Sequence, residues 1–207
     1  MADHPVLFDI ATAGPELESV YEFRYRIYVE EMQRTQHYAD HARRRIVDPL
    51  DANGHQIVAR QRDALVGVVR INLCGERDVG YYRDLCAMEV AGSDHPTATS
   101  LCTRLMVAPE FRRSTLAVRL CEFVYAFAMR QGIRHNFIDC NDHLVPFFAG
   151  LGYVAHVART MHPEYGMVNP MHLRLRDRAH LTRVRSPFLR TLLRWERDSL
   201  VGSLAEA

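Results

Sequence analysis

The sequence predicts an α/β domain in which helices flank one mixed β-sheet. The chain has 207 residues, 48% of them hydrophobic, which suffices for one sizeable core. A helical pattern and then a hairpin pattern occupy the chain up to residue 73, and strand and helix patterns alternate from residue 101 to residue 160. Such alternation is typical of a sheet covered by helices.

The first half of the chain predicts a strand, a helix and a hairpin. Residues 6–11 form a short β-rich run, and residues 16–32 place apolar side chains at helical spacing. Residues 33–55 are polar and predict a long loop. The runs 57–61 and 65–73 are β-rich, and the polar residues between them predict a hairpin connection.

The second half predicts strands that alternate with helices. Residues 101–107 alternate as a strand that ends at Pro109, and residues 115–131 carry the clearest apolar stripe in the chain. Pro170 lacks an N–H and predicts an edge or bulged position for the last strand. The remaining predicted elements are strands over 133–140, 153–160 and 168–175 and helices over 142–151 and 187–200.

The composition excludes several kinds of chemistry. Lysine is absent, so a lysine Schiff base cannot form. The five cysteines are scattered without a CxxC motif, which predicts reduced thiols. His37 and His41 have the spacing of a metal-binding pair, but no third ligand is evident, and no metal is predicted. We recognise neither a secretion signal nor a membrane-spanning run, so the cytoplasm is the expected compartment.

The C-terminal part of the chain is basic. Residues 174–207 hold eight arginines and four acidic residues, although the formal net charge of the whole chain is only +1. Because Phe188 and Leu192 lie at helical spacing, we expect residues 176–207 to form a basic amphipathic helical extension packed on a domain of residues 1–175. Alternatively, this extension docks an acidic carrier protein or contacts an anionic membrane. No nucleic-acid-binding motif accompanies it.

The segment after the predicted strand 101–107 carries the strongest chemical signal. The chain turns at Pro109, and a helix begins behind Arg112 and Arg113. The first amides of a helix have no internal partners, and the helix dipole favours an anion there. The segment therefore predicts a cradle for a phosphate, beside a strand end that can orient a thioester carbonyl.

This segment resembles the acyl-donor loop of the GNAT superfamily of N-acyltransferases. Arg112 and Ala117 match the family pattern Gln/Arg-x-x-Gly-x-Gly/Ala, and Thr115 stands where glycine is usual. Asn141 follows the next predicted strand and precedes a Gly-aromatic pair at the family's spacing. The resemblance implies a GNAT-like mixed central sheet, and it assigns donor binding to Val107, Arg112, Arg113, Ser114, Thr115, Leu116, Ala117 and Asn141.

Two departures from the family pattern bear on the donor. The pair Ser114-Thr115 crowds the pyrophosphate of coenzyme A, but it accommodates the single phosphate of an acyl-carrier-protein arm. Phe148 stands where the family usually has a tyrosine general acid. Since a thiol has a solution pKa near ~8.5, it can leave as a thiolate without that acid.

The front half resembles the long-chain branch of this superfamily, the N-acyl amino acid synthases and the acyl-homoserine-lactone synthases. The shared pattern has an arginine with an aromatic residue four positions on, two aspartates three apart, and two later arginines. The residues in those places are Arg24, Tyr28, Asp48, Asp51, Arg70 and Arg104. Lactone synthases carry a glutamate where this chain has Leu101, which favours N-acyl amino acid synthesis.

The resemblance also implies roles in aminolysis, which needs a group that accepts a proton from the ammonium. Carboxylates attract an ammonium, and guanidinium groups pair with an acceptor carboxylate. We therefore expect catalytic roles for Asp48, Asp51, Arg70 and Arg104. Substrate binding is assigned to Arg24, Tyr28, Phe147 and Phe148. The alternative is an arginine–aspartate network that only fixes the polar loop.

The sequence thus predicts a bacterial N-acyltransferase that moves a medium or long acyl chain to an amine. The expected acceptor is an amino acid. The donor would be an acyl thioester of acyl carrier protein or of coenzyme A, and it would act as a co-substrate. No bound cofactor is expected. An acetyl-coenzyme-A-dependent N-acetyltransferase is the alternative enzyme. A non-catalytic acyl-carrier-binding module of the same fold is the alternative from another class.

The phosphate cradle can be tested by mutation. Arg112→Ala and Arg113→Ala should raise the donor KM, with the larger effect from the side chain that faces the cleft. Loss of one charge-assisted phosphate contact should cost about 1.5–3 kcal/mol, measured as the change in kcat/KM for the donor. Unchanged kinetics in the double variant would contradict the cradle.

Overall fold

The computed structural model describes the backbone of residues 4–12 and 14–205, and their side chains up to residue 199. The strands are β1 (Val6–Ala11), β2 (Ala39–Asp40), β3 (Arg45–Ile46), β4 (Gly54–Gln61), β5 (Ala64–Leu73), β6 (Thr99–Val107), β7 (His135–Cys140), β8 (Val154–Ala155), β9 (Thr160–His162) and β10 (Gly166–Arg174). The α-helices are α1 (Gly14–Tyr25), α2 (Tyr82–Leu85), α3 (Leu116–Arg130), α4 (Val145–Leu151), α5 (Arg178–Arg183) and α6 (Phe188–Ala205). Shorter 3-10 turns cover Pro49–Asn53, Met88–Asp94, Pro109–Phe111 and Asp142–Leu144.

One mixed sheet organises the described part of the chain. Its strand order is β1-β4-β5-β6-β7-β10-β8, and β9 pairs with the start of β10. Strands β6 and β7 run parallel, and the other neighbouring pairs in this order are antiparallel. The helices flank this sheet, so the predicted α/β architecture is confirmed.

The two parallel strands separate after a short paired stretch. Thr99 to Leu101 pair with His135 to Phe137, but both strands continue well beyond the last pair. Helix α3 covers one face of the sheet and buries Leu120 against it. The separation opens a cleft through the sheet, next to α3.

A β-bulge lies in β6 where the cleft begins. Val68 pairs with Met106 and Arg70 with Thr103, so β6 has one more residue than β5 between these pairs. Arg104 occupies the bulge with a φ of 61°, a left-handed conformation that is costly for a side chain with a Cβ. Bulges redirect side chains, and this one lies beside the cleft.

The prediction for Pro170 is wrong. Strand β10 lies inside the sheet, between β7 and β8. Pro170 pairs with Asp139, and it lies between the residues that pair with β9 and those that pair with β8. Because neither short strand pairs with Pro170, its missing N–H leaves no partner on that side unsatisfied.

Two other local predictions also differ from the structure. Residues 153–160 were expected to form one strand, but only Val154–Ala155 and the first residue of Thr160–His162 are extended and paired. Residues 33–55 contain a small β2–β3 hairpin and a 3-10 turn rather than one long loop. Neither segment has a clear apolar periodicity, so tertiary contacts determine the conformation of both.

The C-terminal helix α6 packs on the sheet-covering helix α3. The rings of Tyr125 and Phe188 stack with centroids 4.5 Å apart, and Phe188 and Leu192 belong to the same buried core as α3. The extension predicted over residues 176–207 therefore shares its core with the preceding domain. Among the described residues, no helix combines the length and apolarity needed to cross a bilayer.

Candidate active site

The cleft between β6 and β7 opens into a cavity of about 720 Å³. A volume of this size is typical of small-molecule sites. Its apolar wall includes Ile27, Val107, Val118, Val124, Ile138, Leu144, Phe147, Phe148 and Leu173. The cavity therefore extends from the end of β6 into the space beneath α3.

One arm of the cavity runs along α3. The helix lines it from Ala117 to Ala128, roughly 16 Å at the α-helical rise of about 1.5 Å per residue. Tyr125 and Leu175 lie in the wall near the inner end, where the Tyr125 hydroxyl donates to the Leu175 carbonyl. A largely apolar arm of this length suits an acyl chain, because each buried CH₂ contributes about 0.8 kcal/mol.

Three cysteines line the cavity but are not activated as nucleophiles: Cys102, Cys121 and Cys140. Burial raises the pKa of all three thiols, and the pKa of Cys102 and of Cys140 reaches about 12. The thiolate is the reactive form of cysteine. These side chains therefore act as small apolar wall residues rather than as acyl carriers.

Beside the cavity lies a buried network of arginines and aspartates. Arg24 Nη1 donates to both carboxylate oxygens of Asp51, at 2.8 and 2.9 Å. Arg70 Nη1 donates to Asp48 Oδ1 at 2.6 Å and to Asp51 Oδ1 at 2.8 Å. All four side chains are at most 6% exposed. Each buried charge thus has an opposite charge at hydrogen-bond distance, as burial requires.

Arg104 connects this network to the cavity wall. Its Nη2 donates to Asp48 Oδ2 at 2.9 Å, and its Nη1 donates to Gln36 Oε1 at 2.9 Å and to the Tyr165 hydroxyl. The guanidinium also lies over the rings of Tyr28 and Tyr165, 5.3 and 5.6 Å from their centroids. These contacts hold Arg104 in one orientation despite its strained backbone.

The two aspartates also shape the loop that carries them. Asp48 Oδ1 accepts from the Leu50 N–H at 3.0 Å, and Asp51 Oδ2 accepts from the Asp48 N–H at 2.8 Å, which caps the 3-10 turn reciprocally. Burial alone would raise the pKa of Asp48, but the guanidinium groups of Arg70 and Arg104 lower it to about 2.

Of the residues predicted to be catalytic, the cavity wall includes only Arg104. Asp48, Asp51 and Arg70 lie behind it, as does the predicted substrate residue Arg24. Their direct contact with substrate stays a prediction, and the geometry gives them the role of holding Arg104 and the loop.

The predicted donor loop reaches the cavity only in part. Val107, Arg112, Ser114, Ala117 and Asn141 lie in the cavity wall. Arg113 and Thr115 are exposed outside this wall, and Leu116 is buried in the core. The predicted substrate residues Tyr28, Phe147 and Phe148 lie in the wall as well.

Arg112 is held by an ion pair at the mouth of the cavity. Its Nε donates to the Val107 carbonyl at 3.1 Å, and its two terminal nitrogens donate to the Glu31 carboxylate at 2.5 and 2.8 Å. Glu31 ends the π-helical turn Arg26–Glu31 that continues α1. A donor phosphate that contacts Arg112 must share this guanidinium with Glu31.

His162 fixes the tyrosines of the opposite wall. Its Nδ1 accepts from the N–H groups of Glu164 and Tyr165 at 3.0 and 3.2 Å, so Nε2 carries the proton and faces the hydroxyls of Tyr81 and Tyr82 at 3.1 and 3.0 Å. Burial lowers the pKa of His162 to about 4, which keeps the ring neutral near pH 7.

Sequence reasoning missed two charged wall residues, Arg34 and Asp139. Burial raises the pKa of Asp139 to about 6, although the positive charge of Arg104 lowers it somewhat. A signal for Asp139 was present, since it is the acidic residue in the apolar run 137–140 directly before Asn141. Arg34 had no such signal, because the polar loop around it contains many arginines.

Comparison with known families identifies the chain. A sequence model described as the N-acyl amino acid synthase FeeM matches residues 19–174. The chain belongs to the FeeM family of N-acyl amino acid synthases. No curated protein sequence matches the chain.

Solved structures agree with the FeeM-family assignment in fold. FeeM from uncultured soil microbes is similar with a TM-score of 0.68 at 14% identity, over 91% of this chain and 99% of that one. The coenzyme-A-dependent acyl-homoserine-lactone synthase BjaI gives a TM-score of 0.65 at 21% identity, over 83% and 82% of the two chains. ElaA from Escherichia coli gives 0.59 at 14% identity, over 82% and 100%. The chain is a GNAT-fold N-acyltransferase.

The charged network gives a stability prediction for this FeeM-family chain. Asp48→Asn keeps the size but removes the negative charge that Arg70 and Arg104 share. The free energy of unfolding should fall by about 3–5 kcal/mol, or roughly 6–20 °C in Tm. Because the folded-state pKa of Asp48 is below its unfolded value, this stabilisation is present at neutral pH and is lost as pH falls from about 4 toward 2.

Thermal melts of both proteins at neutral pH and across that acid range measure the effect. Asp84→Asn is the matched control, since the Asp84 side chain is 80% exposed. An unchanged Tm combined with a large loss of kcat/KM for the amine would favour direct catalytic contact by Asp48 over the structural role.

Proposed function

We propose that the chain moves a medium or long acyl chain from a phosphopantetheine thioester to the amino group of an amino acid. The observation that supports this proposal is the apolar arm along α3, which extends roughly 16 Å from Ala117 to Ala128. An acetyl group would leave most of that arm empty. The family of the chain supports an amino acid as the acceptor.

The chemistry is aminolysis of the thioester. The neutral amine attacks the carbonyl carbon, and the C–S bond then breaks. Phe148 lies in the cavity wall and cannot donate a proton. The leaving thiolate needs no general acid, because its conjugate acid has a pKa near ~8.5.

The donor loop supports acyl carrier protein as the partner that delivers the thioester. Arg112 and Arg113 present exposed side chains at this loop, where an acidic carrier protein would be attracted. The Ser114 side chain would crowd a coenzyme A pyrophosphate, and its Oγ already accepts from the Leu116 N–H at 3.1 Å. Turnover with carrier protein should therefore fall more steeply with ionic strength than turnover with coenzyme A.

The location of the protein belongs to the same proposal. We infer a cytoplasmic protein, because acyl carriers serve as its co-substrates. The outer face of α6 places exposed Leu193 between Arg190 and Arg194, which supports peripheral contact with an anionic membrane that receives the lipid-like product.

The test is a matrix of donors and acceptors read by mass spectrometry. Donors from acetyl to about sixteen carbons, on coenzyme A and on carrier protein, are incubated with each amino acid. The kcat/KM should rise with chain length by about fourfold per added CH₂ until the arm is full. A preference for acetyl would favour the N-acetyltransferase, and no product in any combination would favour the non-catalytic module.

A cavity-filling variant sharpens this test. Ala128→Leu adds volume at the inner end of the arm, so it should lower kcat/KM for long donors at least tenfold and leave butyryl donors within about twofold. Ala126→Leu on the same helix is the control, because Ala126 lies outside the cavity wall. Equal losses for long and short donors in Ala128→Leu would contradict the arm as the acyl site, and thermal melts monitor any overpacking.

A further inference from the structure

The charged side chains in the cavity wall divide into paired and unpaired groups. Arg104 pairs with Asp48, and Arg112 pairs with Glu31. Arg34 and Asp139 also lie in the wall. Among the described residues, neither forms an ion pair, and no other side chain donates a hydrogen bond to Asp139. The cavity thus presents one free positive and one free negative group.

The sheet determines where Asp139 lies. It is two residues beyond Phe137, the last residue of β7 that pairs with β6. Phe137 contributes to the core cluster that contains Tyr82, on the sheet face opposite α3, and strand alternation places Asp139 on that same face. Asp139 therefore faces the gap from the side opposite the acyl arm.

An unpaired carboxylate in an apolar wall is costly unless a ligand supplies the opposite charge. Asp48 and Asp51 do not have this property, since each already contacts two guanidinium groups. A free carboxylate and a free guanidinium in one cavity match the ammonium and the carboxylate of an amino acid zwitterion.

We propose that Asp139 binds the acceptor ammonium and accepts its proton, and that Arg34 binds the acceptor carboxylate. This assignment rests on the proposed function, which makes an amino acid the acceptor. Three of the tyrosines in the wall, Tyr28, Tyr82 and Tyr165, would surround the acceptor side chain.

The proposed step balances in protons and bonds. The ammonium transfers one proton to the Asp139 carboxylate, and the resulting neutral amine forms a bond with the thioester carbonyl carbon. The tetrahedral intermediate collapses with cleavage of the C–S bond, and the departing thiolate takes the second nitrogen proton. Asp139 then releases its proton to solvent, so one amide, one thiol and one proton are formed.

The titratable groups that interact with Asp139 come from several elements. Arg104 faces it from β6, Tyr82 from α2, Tyr81 and Cys86 from the two residues that flank α2, and Cys140 from its own strand. The pKa values of both tyrosines and both thiols are raised by burial, so these groups stay neutral in that range. On β10, the paired residue is Pro170, which does not titrate.

The kinetic test uses a decanoyl donor with L-phenylalanine and with phenethylamine, which lacks the carboxylate. In the wild type, kcat/KM for either amine should fall about tenfold per pH unit below pH 6, because protonated Asp139 accepts no proton. Asp139→Asn should lower kcat/KM for both amines about a hundredfold at pH 7.5 and remove that acid limb. Arg34→Gln should raise KM for L-phenylalanine about ten- to a hundredfold and leave phenethylamine unchanged.

Asp142→Asn is the matched control for the carboxylate, because Asp142 is 63% exposed, pairs with Arg159 and lies outside the cavity wall. Unchanged kinetics and an unchanged acid limb in Asp139→Asn would overturn the role of Asp139. An equal effect of Arg34→Gln on both amines, or a raised donor KM, would overturn the role of Arg34.

A titration that needs no activity separates this inference from the proposed function. The carboxyl ¹³C signal of Asp139 in the wild type should titrate near pH 6, and its midpoint should fall when excess L-phenylalanine is added, because a bound ammonium stabilises the carboxylate. A midpoint that does not move overturns the ammonium site even if acyl transfer is observed. A wild type that transfers no acyl chain contradicts the proposed function, but the titration midpoint still tests whether Asp139 binds the ammonium. Because this measurement uses the wild type, it also applies if Asp139→Asn fails to fold.

Discussion

Three arginine guanidinium groups and two aspartate carboxylates share one volume from which water is almost excluded. Arg24 comes from α1, Arg70 from β5 and Arg104 from β6, whereas Asp48 and Asp51 come from the loop between β3 and β4. Desolvation of each charge is compensated only while its partners stay in place, so removal of one leaves another buried and unpaired. The network therefore fixes a loop without regular structure of its own against the centre of the sheet.

The same network explains why the conspicuous aspartates are poor candidates for proton transfer. A carboxylate with a pKa of about 2, as at Asp48, is a weak base near neutral pH. Asp139 has one nearby positive charge and an apolar surrounding, so its pKa lies much closer to the working range. Burial favours a raised pKa for both carboxylates, but the two guanidinium groups in contact with Asp48 reverse that effect, whereas Asp139 has no ion-pair partner.

The fold was largely predictable from sequence, because apolar periodicity determines which face of each element is buried. The pattern over residues 115–131 predicted α3, and the family resemblance singled out Arg24, Asp51 and Arg70, which contact one another in the structure. Which residues line the cavity wall was harder to predict from the sequence. The predicted donor loop included Leu116, which is buried in the core, and omitted Val118, which lines the cavity. A sequence motif does not specify how the first turn of a helix is rotated about its axis, so it cannot say which of these side chains faces the cavity.

The cavity itself could not be predicted from the sequence, because it depends on contacts between residues that are distant in the chain. A sheet separates the space on its two faces, and Cys102 of β6 contributes to the α3 face while Thr103 contacts Arg70 on the other. The cleft where β6 and β7 part joins these faces, and no local pattern reports that two parallel strands diverge after Phe137. In the proposed reaction, an acyl chain along α3 and an amine on the opposite face would meet in this gap. The proposed reaction would therefore place the thioester carbonyl between the bulge at Arg104 and the carboxylate of Asp139.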